Sequence, residues 1–181
     1  LDVWEVIRLA NRHPRVNILQ PGPGVGGHCI AVDPWFIVHG APEQTPLIRT
    51  AREVNDGKMH HVIAKATALL EAHPGEKVAC LGLAFKANID DFRESPARYV
   101  AATLARRFGD RISVVEPYAS ALPIEFTDTG AALIDLDTAL EDCGVLIVLV
   151  DHDVFRVVPL AERSGKTVYD TRGIWPDQPV A

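Results

Sequence analysis

The sequence predicts an α/β fold: a doubly wound, mostly parallel sheet preceded by a helical arm. Two observations carry this prediction. From Lys77 onward, short apolar runs rich in branched residues alternate with stretches of helical spacing. Ahead of Pro74 and Gly75, apolar residues recur only at helical spacing, interrupted by one loop dense in glycine and proline. The expected division is residues 1–74, a helical arm carrying that loop, and residues 75–181, the α/β unit.

In the arm, Val3, Val6, Ile7, Leu9 and Ala10 mark a first helix across 2–12. That pattern is already under way at Leu1, with neither an initiator Met nor a cap, so the chain reads as a piece of a longer polypeptide. "RHPRVNILQPGPGVGG" then breaks it. Asp33 as N-cap, Pro34 in the first turn and Gly40 at the end predict a short helix. Thr45 as a cap and Pro46 open a long one, with its stripe running from Leu47 through Ala51, Met59, Val62 and Ala66 to Leu70. Its one weak point is Asp56-Gly57, and Pro74-Gly75 stops it.

In the α/β unit, "KVACLGLA" predicts a buried strand. Ser95 as cap and Pro96 at the first position open the helix of "SPARYVAATLARRFG". "RISVVEP" and "AALID" give two more strands, and "LDTALEDCG" a short helix. "VLIVLVDH" is a strong strand, "HDVFRVVPLAER" a helix, and "TVYDTRG" the last strand.

Composition narrows the function. The chain has 181 residues, 48% hydrophobic and 23% charged, as in an ordinary globular protein. A net charge of −6 argues against nucleic acid or an acidic membrane as partner, while leaving room for an anion held by a few local cations. Cys29, Cys80 and Cys143 are odd in number, far apart and without a CxxC. Neither a disulfide framework nor a metal site is expected, and a reducing cytoplasm is the expected setting. No apolar run reaches the roughly 18–20 residues of a membrane span, and no signal peptide is visible.

Ligands of such sheets sit beyond the carboxyl ends of the strands. There the sequence places Phe85-Lys86, Asp151-His152 and Thr171-Arg172-Gly173. Lys86 and Arg172 are expected to converge on one rim, where they either grip a diphosphate or remain solvated surface charges. "LGLAFK" lacks the G-x-G-x-x-G of a dinucleotide site, and no P-loop is present.

The arm offers a thiol. In "QPGPGVGGHCIAV", glycines free the backbone to approach a ligand, and Cys29 at the loop's end is expected to be exposed. Cys80, in an apolar strand, and Cys143, at a helix end, are expected to be structural. His28 is adjacent to Cys29, but sequence neighbours often point apart, so a Cys–His pair is weakly supported, and so is a zinc site. Asp33 is either an N-cap, a carboxylate serving the thiol, or both.

"PGPGVGGHCIAVDPWFIV" together with "LGLAFKANIDDFRESPA" resembles the nucleotide-sugar 6-dehydrogenases, the UDP-glucose/GDP-mannose dehydrogenase family. The resemblance implies an NAD-binding domain, a central helical dimerisation region and a C-terminal Rossmann-like domain for UDP-sugar, of which this chain matches the end of the second and all of the third. It implies oxidation of a sugar C6 alcohol to a carboxylate in two NAD-linked steps through a thioester on the catalytic cysteine. The expected substrate is a UDP-N-acetylhexosamine, first UDP-N-acetyl-D-mannosamine, with UDP-N-acetylglucosamine and UDP-glucose as alternatives. Carried over, Cys29 resembles the nucleophile and Asp33 the carboxylate assisting it. Gln20, Pro21, Gly22, Pro23, Gly24, Val25 and Gly26 resemble the cradle for sugar and phosphates. Phe85, Lys86 and Arg172 resemble UDP-sugar contacts, and Arg93, with Cys29, the residues that meet NAD. His13 and Arg15 resemble an arm reaching into the sugar site of the partner in a homodimer. The family's catalytic lysine and its dinucleotide domain are absent, which implies no dehydrogenase activity for these residues alone and NAD held mainly elsewhere. Two other classes stand beside this one: a nucleotide-sugar binding module, and a thiol hydrolase using Cys29 and His28.

Overall fold

A computed structural model describes residues 2–176, so Leu1 and the last five residues of the expected α/β unit lie outside the described residues. The arm begins with α1 (Val3–Ala10). The cap the sequence was expected to lack is there, because the Asp2 carboxylate accepts from Trp4 N at 2.9 Å and Glu5 N at 3.5 Å. α2 (Asp33–Gly40) follows the glycine-rich loop, and Asp33 is its first residue rather than its cap. The reason is that helical geometry starts earlier: the Cys29 carbonyl already accepts from Val32 N and Asp33 N at 3.1 and 2.8 Å. α3 (Pro46–Ala72) runs unbroken through Gly57. Thr45 does not cap it, since its hydroxyl donates to the Ala41 carbonyl at 2.8 Å instead.

The sheet is fully parallel. β1 (Val78–Leu81), β2 (Ile112–Val115), β3 (Ala132–Leu133), β4 (Val145–Val148) and β5 (Thr167–Asp170) lie in the order β3-β2-β1-β4-β5. Between them run α4 (Pro96–Phe108), α5 (Leu136–Asp142), α6 (Asp153–Arg156) and α7 (Leu160–Arg163). In β1, Val78 and Cys80 face one core and Ala79 and Leu81 the other, so both faces of this strand are covered and all four of its residues are apolar. Ser95 caps α4 as expected, its hydroxyl accepting from Arg98 N at 3.3 Å. The first core also takes Val62, Ala66 and Leu70 from the second half of α3, which packs on α4. The division expected near Pro74-Gly75 thus falls on the turn joining α3 to β1, while α3 shares a core with the sheet.

Two elements differ from expectation. β1 stops short of Ala84 because Gly82 takes φ +96 and packs on Val150, where a Cβ would overlap that side chain. The helix expected over 152–163 is two single turns, α6 and α7, because Pro159 bars its predecessor from helical geometry. Among the described residues, no helix is long and apolar enough to cross a membrane.

Candidate active site

The glycine-rich loop is seated on the α/β unit rather than left bare. A Cβ at Gly22 would overlap the Arg172 guanidinium. One at Gly26 would overlap the Glu94 carbonyl and stand 2.7 Å from Pro96 Cδ. Gly27, at φ +90, leaves only 3.1 Å to the Phe85 ring. The glycines therefore let the backbone approach the protein's own wall. Asn55 of α3 pins the loop's middle, accepting from Val25 N at 2.7 Å and donating to Val25 O at 3.3 Å. The chain surfaces only at Val25 and then at His28 and Cys29.

Cys29 is exposed, and its Sγ lies 3.0 Å from His28 Nδ1. The neighbours expected to point apart face each other, because the turn at 28–32 folds the two side chains together. The contrast expected with the other thiols is present: Cys80 and Cys143 are buried, and burial pushes the Cys80 thiol up to about 12. Asp33 sits one helical turn beyond Cys29, exposed and free of a capping role.

Beside this turn lies an exposed pair. The Asp91 carboxylate accepts from Arg93 Nε at 3.0 and 3.1 Å and from Nη2 at 2.6 Å. That forked hydrogen bond, with a further one from the Arg93 backbone N–H, lowers Asp91 to about 2, and it raises Arg93 in turn, with a smaller push from Cys29. A carboxyl so lowered contributes stability that is present above its unfolded value and lost as pH falls through about 2. A carboxyl titration followed by NMR is expected to give Asp91 a midpoint near 2, and in Arg93→Gln a midpoint raised toward the ordinary ~3.9 but short of it, because the backbone N–H of residue 93 still donates.

At the other end of the loop, the structure brings Lys86 and Arg172 to one cleft, together with Pro23, Gly24 and Asp151. Asp170, ending β5, shapes the turn that presents Arg172: its carboxylate accepts from Arg172 N and Gly173 N, each at 2.8 Å, and from Trp175 N at 2.9 Å. Arg172 Nη2 pairs with Asp151 at 2.8 Å, while its Nε is buried without a partner. Burial pushes Asp151 up, but the charges of Arg172 and Arg156 outweigh it and leave the carboxyl lowered. Lys86 is exposed and has no ion pair among the described residues. The cleft holds about 20 Å³, room for roughly one water.

His13 and Arg15 stand apart, on an exposed turn whose ends Asn11 ties by accepting from Ile18 N at 2.6 Å. Neither bonds to Cys29, Lys86 or Arg172, and Gln20 is exposed. Sequence reading missed Asn55, Asp91 and Glu116. Asn55 carried a usable signal, a short polar side chain in the middle of a long helix. Asp91 carried one too, an Arg two residues on whose guanidinium it accepts from, whereas Glu116 accepts from the backbone N–H groups of Leu83 and Ala84, which leave no trace in a sequence.

Residues 79–177 match the UDP-glucose/GDP-mannose dehydrogenase family, UDP binding domain, and residues 1–57 match the same family's central domain. The UDP-N-acetyl-D-mannosamine dehydrogenase of Salmonella typhi is 55% identical across 97% of this chain and 43% of its own length. The NDP-N-acetyl-D-galactosaminuronic acid dehydrogenase of Ralstonia nicotianae is 49% identical across 100% and 42%. The solved UDP-D-ManNAc dehydrogenase of Pyrococcus horikoshii superposes with a TM-score of 0.80 at 31% identity, covering 100% of this chain and 43% of that one. The chain thus spans about two fifths of the length of these relatives and belongs to the UDP-glucose/GDP-mannose dehydrogenase family.

Proposed function

We propose that the chain contributes the thiol and the nucleotide-sugar site of an NAD-dependent 6-dehydrogenase acting on a UDP-N-acetylhexosamine, first UDP-N-acetyl-D-mannosamine. One observation carries the reading. A single loop runs from Gly22, pressed on Arg172, past Gly24 at the Lys86 cleft, to the exposed thiol of Cys29. A diphosphate at one end and a sugar C6 at the other would follow that path. Lys86 and the unpartnered Nε of Arg172 supply cationic donors for the diphosphate. A diphosphate needs more than the present cleft, so its entry shifts segment 22–24 and draws Arg172 from Asp151.

At the thiol end, His28 takes the Cys29 proton and the thiolate adds to the C6 aldehyde, forming a carbon–sulfur bond. The covalent bond keeps the aldehyde in place until it reaches the oxidation level of a thioester. Asp33 orients the water that cleaves the thioester, releasing the carboxylate and restoring the thiol. NAD, which the family implies, would supply the acceptor for both hydrides. In this chain its fit is confined to the rim at Arg93 and Cys29. The sheet's own crevice does not fit a dinucleotide, because the N–H groups of Leu83 and Ala84 are taken by the Glu116 carboxylate. A homodimer is consistent with the exposed apolar residues Phe36, Ile37, Leu47 and Val54 on α2 and α3.

Iodoacetamide with intact-mass readout tests the reading. One adduct is expected, at Cys29, with UDP-N-acetylmannosamine slowing it and the buried Cys80 and Cys143 unlabelled. Fast labelling indifferent to the nucleotide sugar, with ester hydrolysis, would instead favour a Cys29–His28 hydrolase, which the 3.0 Å contact keeps as the second reading.

A further inference from the structure

We propose that Glu116 and His152 are positioning residues that clamp both ends of segment 83–88 and thereby aim Phe85 and Lys86 at the diphosphate; the inference rests on the site proposed above. Both side chains are fully buried, and they form one network. Glu116, just past β2, accepts from Leu83 N at 2.6 Å and Ala84 N at 3.1 Å, at the start of the segment. His152, just past β4, accepts at Nδ1 from Asn88 N at 2.9 Å, at its end. A backbone N–H can only donate, so Nδ1 is the acceptor and the ring proton sits on Nε2, 3.3 Å from Glu116. Burial pushes Glu116 up, but the hydrogen bonds from His152 and Leu83 outweigh it and keep the carboxyl ionised. Asn88 itself sits at φ +62, and its side chain accepts from Asp153 N at 3.0 Å.

The consequence is functional. In this topology the N–H groups after the first strand ordinarily face a ligand's phosphate. Here a protein carboxylate stands in for that phosphate, and Gly82 closes on Val150 behind it. Anion binding is left to side chains of the clamped segment and of the turn after β5, namely Lys86 and Arg172. An exposed lysine loses much rotamer and backbone freedom on gripping a ligand, and a segment already fixed at both ends reduces that cost.

The test is UDP affinity by calorimetry in the full-length protein, with four variants. Lys86→Ala is expected to weaken UDP about tenfold or more, the worth of roughly one charge-assisted hydrogen bond. His152→Gln can still reach Glu116 but releases Asn88, and is expected to weaken UDP about tenfold and raise KM for the UDP-sugar at unchanged kcat. His152→Asn keeps an acceptor for Asn88 N and is expected to stay within about threefold of wild type. Should His152→Gln not fold, Glu116→Gln carries the test: it keeps the size of the side chain but removes the charge and turns one acceptor into a donor among the N–H groups of Leu83, Ala84 and Tyr118, and it is expected to weaken UDP about tenfold with faster hydrogen exchange confined to 83–88. Lys86→Ala with wild-type affinity overturns the proposed site and the clamp with it. A weakened Lys86→Ala beside unaltered His152→Gln, or unaltered Glu116→Gln where it stands in, overturns the clamp alone. Equal losses in both His152 variants also overturn it, since they would mark a merely structural role.

Discussion

Replacing Cys29 with serine in the full-length protein is expected to lower NADH production by about 10³-fold or more, with little change in melting temperature. The stability side follows from position. The side chain is exposed on a turn, and the swap leaves no cavity. The activity side follows from chemistry. A serine hydroxyl is far harder to ionise than a thiol, and His28, placed 3.0 Å from the sulfur, is a weak base for it. Even an adduct formed through oxygen would yield an ester, which water cleaves far more slowly than a thioester. The first oxidation does not require the sulfur, so a single burst of NADH per enzyme followed by a stall is the expected trace. Cys80→Ser makes the opposite comparison: it buries a hydroxyl in an apolar strand, so its effect should fall on melting temperature rather than on the stage that stalls. Steady turnover by Cys29→Ser within tenfold of wild type would end the role assigned to the thiol.

Much of this site was legible because its chemistry lies in residue types. A cation soon after an apolar strand marks a carboxyl edge, which places Lys86 and Arg172 on one rim, and both line one cleft in the structure. The strand-and-helix alternation likewise predicted all five strands, most plainly β1 and β4, which are buried along their whole length and wholly apolar. What sequence could not supply was contact made through backbone. Glu116 looks like the polar end of β2, yet it serves two N–H groups more than thirty residues away in sequence. The cap assignments at Asp33 and Thr45 failed for a related reason. Each residue type suits a cap, but a helical turn already begun at Cys29, and a carbonyl within reach at Ala41, settled the geometry first. The glycine run does not reveal by itself which surface its backbone approaches: Gly22, Gly26 and Gly27 lie against Arg172, Pro96 and Phe85 of the protein's own wall.

That last point gives the second large expectation. Gly26→Ala should reduce kcat/KM about 100-fold in the full-length protein while lowering stability by about 1–3 kcal/mol. The Gly26 backbone is not in a glycine-only conformation, so what bars a side chain there is contact alone. Its added methyl would overlap the Glu94 carbonyl, stand 2.7 Å from Pro96 Cδ and 3.1 Å from Phe85 Cβ. A carbonyl and a proline ring at the start of α4 cannot swing aside as a long side chain would, so the loop must lift. Lifting it strains the Asn55 clamp on Val25 and carries Cys29, three residues on, away from the wall that aligns it with the Lys86 cleft. A displacement near 1 Å is enough for a loss of that size, because the thiol must meet one carbon of a substrate held at its far end. Gly57→Ala is the matched comparison: it lies inside α3 with open space around it, and should leave activity alone while stabilising by about 0.5–1 kcal/mol. If Gly26→Ala turned over like Gly57→Ala, the loop would be packing for its own sake, and its seat on Phe85 and Pro96 would have no part in placing the thiol.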